Sequence, residues 1–302
     1  MKKKLVVITG PTGSGKTALA IRIAQQLGTE IVSADSRQVF REMRIGTATP
    51  TREELLQVRH HLVGHKSITE GYDAALYSRE ARTCIENLFS EYQNVIVCGG
   101  SGLYIRALLN GIDEIPDIPQ ETRDQVQDDY NQQGLEWLQN EANRIDPEWY
   151  EKADRHNHRR LIRCVEVFRA SGKKLSSLQT GKSPDHNWDI IKFSTSLSVG
   201  VLYERINSRV DQMVSEGLFE EAAGLYNFRN HRALRTVGYQ EIFSHMDGAF
   251  SREEAISLIK QHTRNYAKRQ LTWFRKEDGL NLIKHTGQEV DLSEIMTRII
   301  QS

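Results

Sequence analysis

Apolar residues in this chain come in short runs separated by glycine and polar turns. The first run, Leu5-Val6-Val7-Ile8, is closed by Thr9 and a glycine-rich loop, and predicts a buried strand over Lys4–Thr9. Beyond that loop Leu19, Ile23 and Leu27 recur at helical spacing, which predicts a helix over 16–27. Glu30–Ala34 reads as a second strand ending at Asp35, and Asn94–Cys98 as another ending at Gly99-Gly100-Ser101-Gly102. An amphipathic pattern over Ala74–Phe89 lies between them. Strand, loop and helix in alternation predict an α/β fold, a P-loop NTPase-like doubly wound parallel sheet. Such sheets bind ligands at the carboxyl ends of their strands, so Asp35 and Ser101 should share a rim with the first loop.

From Pro116 to Pro184 the pattern changes to helical periodicity rich in Asp, Gln, Asn and Arg, without a convincing strand. This predicts a helical insertion at 116–187 in a catalytic core formed by 1–115 and 188–302. Trp188–Ser196 reads as the strand that returns to the core, and Leu202–Phe274, which lacks proline, as largely helical.

Charge refines this picture. The 302 residues carry 40 basic and 40 acidic side chains, a balance that argues weakly against a nucleic-acid partner. The balance hides segregation, however. Residues 255–276 contain Lys260, Arg264, Lys268, Arg269, Arg275 and Lys276 and no acid, 155–163 are similarly basic, and 113–129 are acidic. No apolar run reaches the roughly 18 residues of a membrane span. The start, charged and then apolar, invites comparison with a signal peptide, but its apolar stretch is too short and has no cleavage site. The expectation is a cytoplasmic protein. Cys84, Cys98 and Cys164 are too scattered for a metal site, and His60-His61 are poorly spaced for one.

Gly10-Pro11-Thr12-Gly13-Ser14-Gly15-Lys16-Thr17 is a P-loop in the required strand-loop-helix context. Its backbone N–H groups and the helix N-terminus make an anion cradle, Lys16 adds a cation, and the Thr17 hydroxyl is suited to Mg²⁺. Alone, this loop points to ATP. Asp35, opening Asp35-Ser36-Arg37-Gln38-Val39-Phe40, is placed to take a proton from a hydroxyl or an amine; the lesser alternative is that Asp35 or Ser36 caps a helix.

Together, GPTGSGKT, DSRQVF, IGTATP (Ile45–Pro50), GGSGLY (Gly99–Tyr104), RRLIRCVEVFRASGK and TRNYAKRQLTWFR resemble, in order and spacing, the bacterial tRNA dimethylallyltransferases, from Val6 to Arg275. The resemblance implies transfer of a dimethylallyl group from dimethylallyl diphosphate to N6 of adenosine 37, beside the anticodon of tRNAs reading codons that begin with U. It implies that the P-loop holds the donor's diphosphate with Mg²⁺ on Thr17, that Asp35 is the general base, and that Ser101, where the family usually has threonine, bonds the leaving group. Arg205 and Arg209 fall where the family directs arginine at the pyrophosphate. Asp35, Ser36, Arg37, Gln38 and Ser101 resemble its anticodon-loop contacts, as do Arg123 and the segment Arg159, Arg160, Leu161, Ile162 and Arg163. On one helix face, Arg160 and Arg163 would point toward phosphates. The aromatics among residues 260–276 are expected mainly in packing and the cations on the RNA backbone. A one-to-one complex with tRNA needs only a monomer.

The chain departs from the family pattern in Gly13, where alanine is usual and the change is expected to be tolerated, in Thr49, where lysine is common, and at Gly64–Lys66. It lacks the zinc-finger extension of eukaryotic relatives, an expectation of a bacterial short form. A P-loop kinase, an adenylate prenyltransferase and a non-catalytic RNA-binding P-loop protein share parts of the pattern. None of them accounts for all of it.

Overall fold

Leu5, Val6, Val7 and Ile8 point alternately to the two faces of a strand, and all are buried, as a central parallel strand requires. The computed structural model describes residues 2–113, 115–179, 186–285 and 290–301. Its six strands are β1 (Lys3–Thr9), β2 (Ile31–Ser33), β3 (His60–His61), β4 (Asn94–Gly99), β5 (Trp188–Ser196) and β6 (Leu280–Lys284). They form one parallel sheet in the order β3-β2-β4-β1-β5-β6. Val6 sits in register between Ile96 of β4 and Ile191 of β5.

Helices cover both faces. Tyr77, Ile85 and Leu108, from helices Ala74–Glu91 and Gly102–Asn110, pack with Leu5, Val7 and Val97 on one side. Ile23 from helix Lys16–Leu27 and Ile295 from helix Ser293–Gln301 pack with Val6, Ile8 and Ile96 on the other. Gly28, in the left-handed region, ends the first of these helices by donating its N–H to Ala24 O and Gln25 O. A further apolar cluster joins Val39 and Met43 to helices Val199–Ser215, Leu218–Gly224, Tyr239–Met246 and Arg252–Phe274. The last of these helices starts in a Ser251–Glu254 capping box.

Two compact units result, residues 1–109 with 185–302 and residues 110–184, against expected divisions after 115 and 187. The helical unit is built on Gln120–Ile145, broken at Gly134, and on His158–Ser171. Its core contains Val126, Leu138, Leu161 and Val165. Asp146 is fully buried there. It accepts the Ser176 N–H and hydroxyl, each at 2.7 Å, and the Trp149 N–H at 3.3 Å. No helix among the described residues is long and apolar enough to cross a membrane.

Candidate active site

Three chain segments leave the sheet at the carboxyl ends of β1, β2 and β4 and build one rim. After β1 the P-loop turns through Gly10, Gly13 and Gly15, all at positive φ, into a helix whose N-terminus has no side-chain cap. Buried Ser14 accepts a 2.7 Å hydrogen bond from the Thr195 hydroxyl of β5, which fixes the loop to the neighbouring strand. Burial lowers the pKa of Lys16 below the ordinary lysine value, Cys98 and Asp35 act against that shift, and Arg209 adds to it. An anion would relieve this desolvated cation. The Cys98 thiol is itself pushed up to about 12 by burial, so it is no nucleophile.

Arg205 comes from helix Val199–Ser215. Its guanidinium stands over the helix entrance: a side chain on Gly15 would begin 3.7 Å from Arg205 Nη1. Nη1 is buried and has no hydrogen-bond partner among the described residues. A buried donor of this kind calls for an acceptor, and a phosphate oxygen supplies one. The same cradle holds His285, which the sequence pattern did not single out. Its Nε2 lies 3.1 Å from Ser14 O, and it follows β6, whose half-exposed pattern gave little strand signal.

Asp35 caps a turn over residues 36–39 rather than a helix. Oδ1 accepts the N–H groups of Arg37 at 2.9 Å and Gln38 at 3.3 Å, which is the local cap. Oδ2 has no hydrogen-bond partner among the described residues, so one carboxylate oxygen remains available for a proton. Beside it, Ser101 is buried. Its Oγ accepts the Ser36 N–H at 2.8 Å and lies 3.1 Å from Ser36 Oγ, and its own N–H donates to Ala34 O at 3.2 Å. Asp35 and Ser101 are therefore brought together as expected.

Several predicted contacts are already engaged within the protein. Arg37 donates to Ala233 O at 3.0 Å. Gln38 Nε2 donates to Thr47 O and Ala48 O. Lys260 pairs with Asp211 at 2.6 Å and Arg264 bonds Asn207 at 2.7 Å, so these two cations hold helices together, whereas Lys268, Arg269, Arg275 and Lys276 stay exposed. Tyr266 departs from the packing role. It is 36% exposed, with its hydroxyl among Asp35, Arg37 and Ser101; burial and then Asp35 push it up to about 12. Phe274 is core, as expected. His60 and His61 are engaged by Val58 O and Glu30.

In the helical unit, Arg159 and Arg160 are exposed on helix His158–Ser171. Leu161 and Ile162 are not available as side-chain contacts, because helical periodicity turns both into the unit's core. Arg163 lies 3.6 Å from Glu166, and Arg123 Nε donates to Ile118 O at 3.2 Å. Thus the face expected for Arg160 and Arg163 together is free at Arg160 and shared with an acid at Arg163.

A family model described as IPP transferase matches residues 38–277. The chain belongs to the IPP transferase family. It is 42% identical to a tRNA dimethylallyltransferase of Cytophaga hutchinsonii over 301 residues, covering 100% of this chain and 99% of the relative. It is 41% identical to tRNA dimethylallyltransferase 1 of Bacteroides fragilis, covering 96% of each. Among solved structures, the full-length tRNA isopentenylpyrophosphate transferase of Bacillus halodurans matches with a TM-score of 0.71 at 34% identity, over 99% of this chain and 95% of that one. A eukaryotic dimethylallyltransferase, solved in snapshots of its action on tRNA, matches with a TM-score of 0.77 at 26% identity, over 99% and 77%. These likenesses span the P-loop and Asp35, which precede the segment matched by the family model, as well as Ser101 within it.

Proposed function

We propose that the protein transfers a dimethylallyl group from dimethylallyl diphosphate to N6 of adenosine 37 in tRNAs reading codons that begin with U. The observation that carries this reading is the Asp35 carboxylate. It is anchored through one oxygen, open at the other, and set on the same rim as a P-loop and Ser101.

In this reading the N6 amine attacks the allylic carbon, the carbon–oxygen bond to diphosphate breaks, and Asp35 Oδ2 takes the N6 proton. An exocyclic adenine amine is a weak nucleophile, so a positioned carboxylate contributes to the step. Lys16, Arg205 and Arg209 surround the departing diphosphate, and Ser101 supplies a hydroxyl to it. Electrostatic stabilisation of this kind is strongest in a site that excludes water. The target base leaves its stack to reach the rim, as enzymes acting on a base require. Arg159, Arg160 and the outward cations of helix Arg252–Phe274 hold tRNA phosphates.

Mg²⁺ fits this donor set. Thr17 offers a hydroxyl in the first helical turn, and Mg²⁺ on phosphates needs few protein ligands. When bound through Thr17, it would neutralise charge on the diphosphate.

The test is a transfer assay with unmodified tRNA, labelled dimethylallyl diphosphate and Mg²⁺, with AMP and ATP as competitors. Label should enter tRNA at position 37. Label in AMP and none in tRNA would replace this reading with an adenylate prenyltransferase.

A further inference from the structure

Helix Arg252–Phe274 reaches the rim through one stripe of residues, Tyr266, Gln270 and Trp273, spaced four and three apart on a single face. Tyr266 faces Ser101 and Asp35, and Trp273 packs where a side chain on Gly102 would stand. Gln270 lies between them and is buried. Its Oε1 accepts the Thr12 N–H at 2.8 Å, and its Nε2 donates to Gly100 O at 2.8 Å. The amide has one possible orientation, because Thr12 offers only a donor here and Gly100 only an acceptor. One side chain thus ties the P-loop to the loop carrying Ser101. The two loops also touch directly: a Cβ on Gly100 would collide with Gln270 Nε2 and lie 3.3 Å from Gly10 O.

From this geometry we infer that Gln270 is a positioning residue that sets the register between the diphosphate cradle and Ser101. The inference rests on the prenyl-transfer reading. The P-loop alone can hold diphosphate, and other surfaces hold tRNA, but the transition state spans both loops. An interaction needed only in the transition state acts on kcat and spares ground-state binding. Small misplacements at a reacting centre are costly, up to about a hundredfold for roughly 1 Å.

Two variants test it, after wild-type protein has been shown to transfer label, so that failure of the parent reading is recognised separately. Gln270→Met keeps length and packing and removes both hydrogen bonds. It should lower kcat per folded molecule by about tenfold or more, while the Kd for Mg²⁺-pyrophosphate and for tRNA stays within about threefold. Gln270→Glu keeps the acceptor for Thr12 and sets an oxygen against Gly100 O. Protonation turns that carboxylate into a donor and restores both bonds, and burial raises the pH at which this occurs. Its kcat, divided by the wild-type value at each pH, should therefore recover as pH falls from about 8 to about 6. Lys16, Asp35, Tyr266 and Arg269 on the surrounding elements are present in both proteins, so the ratio isolates what the Gln270→Glu change adds, its coupling to those charges included. Should the Met variant fail to fold, the pH ratio of the Glu variant carries the test. The inference is overturned if kcat per folded molecule stays within about twofold of wild type while only Tm falls, if pyrophosphate affinity drops as far as kcat, or if the ratio is flat with pH.

Discussion

The rim of the sheet and the helical unit of residues 110–184 both offer cations to a phosphate-rich substrate, in opposite physical states. On the rim, Lys16 is desolvated and ends a loop pinned by Ser14, Thr195 and Gln270, while Arg205, from helix Val199–Ser215, keeps a buried Nη1 with no hydrogen-bond partner among the described residues. In the helical unit, Arg159 and Arg160 stand exposed on a helix whose apolar face is occupied by Leu161, Ile162 and Val165. Charges of the first kind act in a low dielectric and cost no rearrangement at the moment of reaction. Those of the second kind are screened within a Debye length of about 8–10 Å at ordinary salt. The rim should therefore govern chemistry with little sensitivity to salt, and the helical unit should govern tRNA affinity with much.

The largest break in that contrast is Asp35→Asn. The amide keeps an oxygen for the N–H groups of Arg37 and Gln38 but gives up the base. Transfer should fall by about 10²–10⁴-fold, the range of general base catalysis, with tRNA affinity within about threefold. Label transfer and filter binding on the same preparation check both halves. A variant that keeps wild-type rate would remove Asp35 as the base.

Arg205→Leu is next. It removes the guanidinium over Gly15, whose Nη1 is buried. A charge-assisted hydrogen bond is worth about 1.5–3 kcal/mol, so Mg²⁺-pyrophosphate should bind about 10–100-fold more weakly by calorimetry. That loss should persist as salt is raised, and a loss that vanishes by 0.5 M salt, where the Debye length is about 4 Å, would place Arg205 on the screened side.

Arg159→Ala with Arg160→Ala should move only the other region. The tRNA Kd should rise by several-fold at low salt, and the slope of log K against log salt should shrink by about one for each phosphate no longer neutralised. The rate at saturating tRNA should not change. An unchanged slope would show that these arginines meet no phosphate.

The same contrast explains what could be read along the chain. Runs such as Leu5–Ile8 and Asn94–Cys98 announce buried strands because both of their faces are apolar, and the glycines after them announce turns. Helix Lys16–Leu27 and strand Trp188–Ser196 have the expected ends. Edge strands are less legible: His60–His61 is two residues long, and Leu280–Lys284 is half exposed. Charge was legible as composition but not as availability. Nothing in the local pattern says that Lys260 meets Asp211, or that Arg123 returns to Ile118 O, because those partners are set by packing. Gln270 was silent for the same reason, since a lone glutamine in a basic helix reads as solvated until its two backbone partners are seen.

Gly13→Ala is the smallest effect and tests how stiff the rim is. Resemblance to relatives with alanine here led to the expectation of tolerance. In this chain Gly13 has φ +80°, and a Cβ would lie 3.1 Å from Ile206 Cγ1. A left-handed conformation costs a non-glycine residue about 1–2 kcal/mol. The substitution also removes unfolded-state entropy worth about 0.4–1 kcal/mol, which partly offsets that cost. The close contact tips the balance toward a loss, because Ile206 belongs to a packed cluster with Leu202 and Ala267 and has little room to retreat. A net destabilisation of about 1 kcal/mol is expected, a Tm shift of about 1–2 °C for a chain of this size. Activity should stay within about threefold, since the N–H groups of Gly15, Lys16 and Thr17 that face an anion are not displaced by a methyl one turn away. A stabilised alanine variant would mean that the loop can relax around φ at Gly13, and that the rigidity assigned to the rim resides in the Ser14–Thr195 and Thr12–Gln270 hydrogen bonds instead.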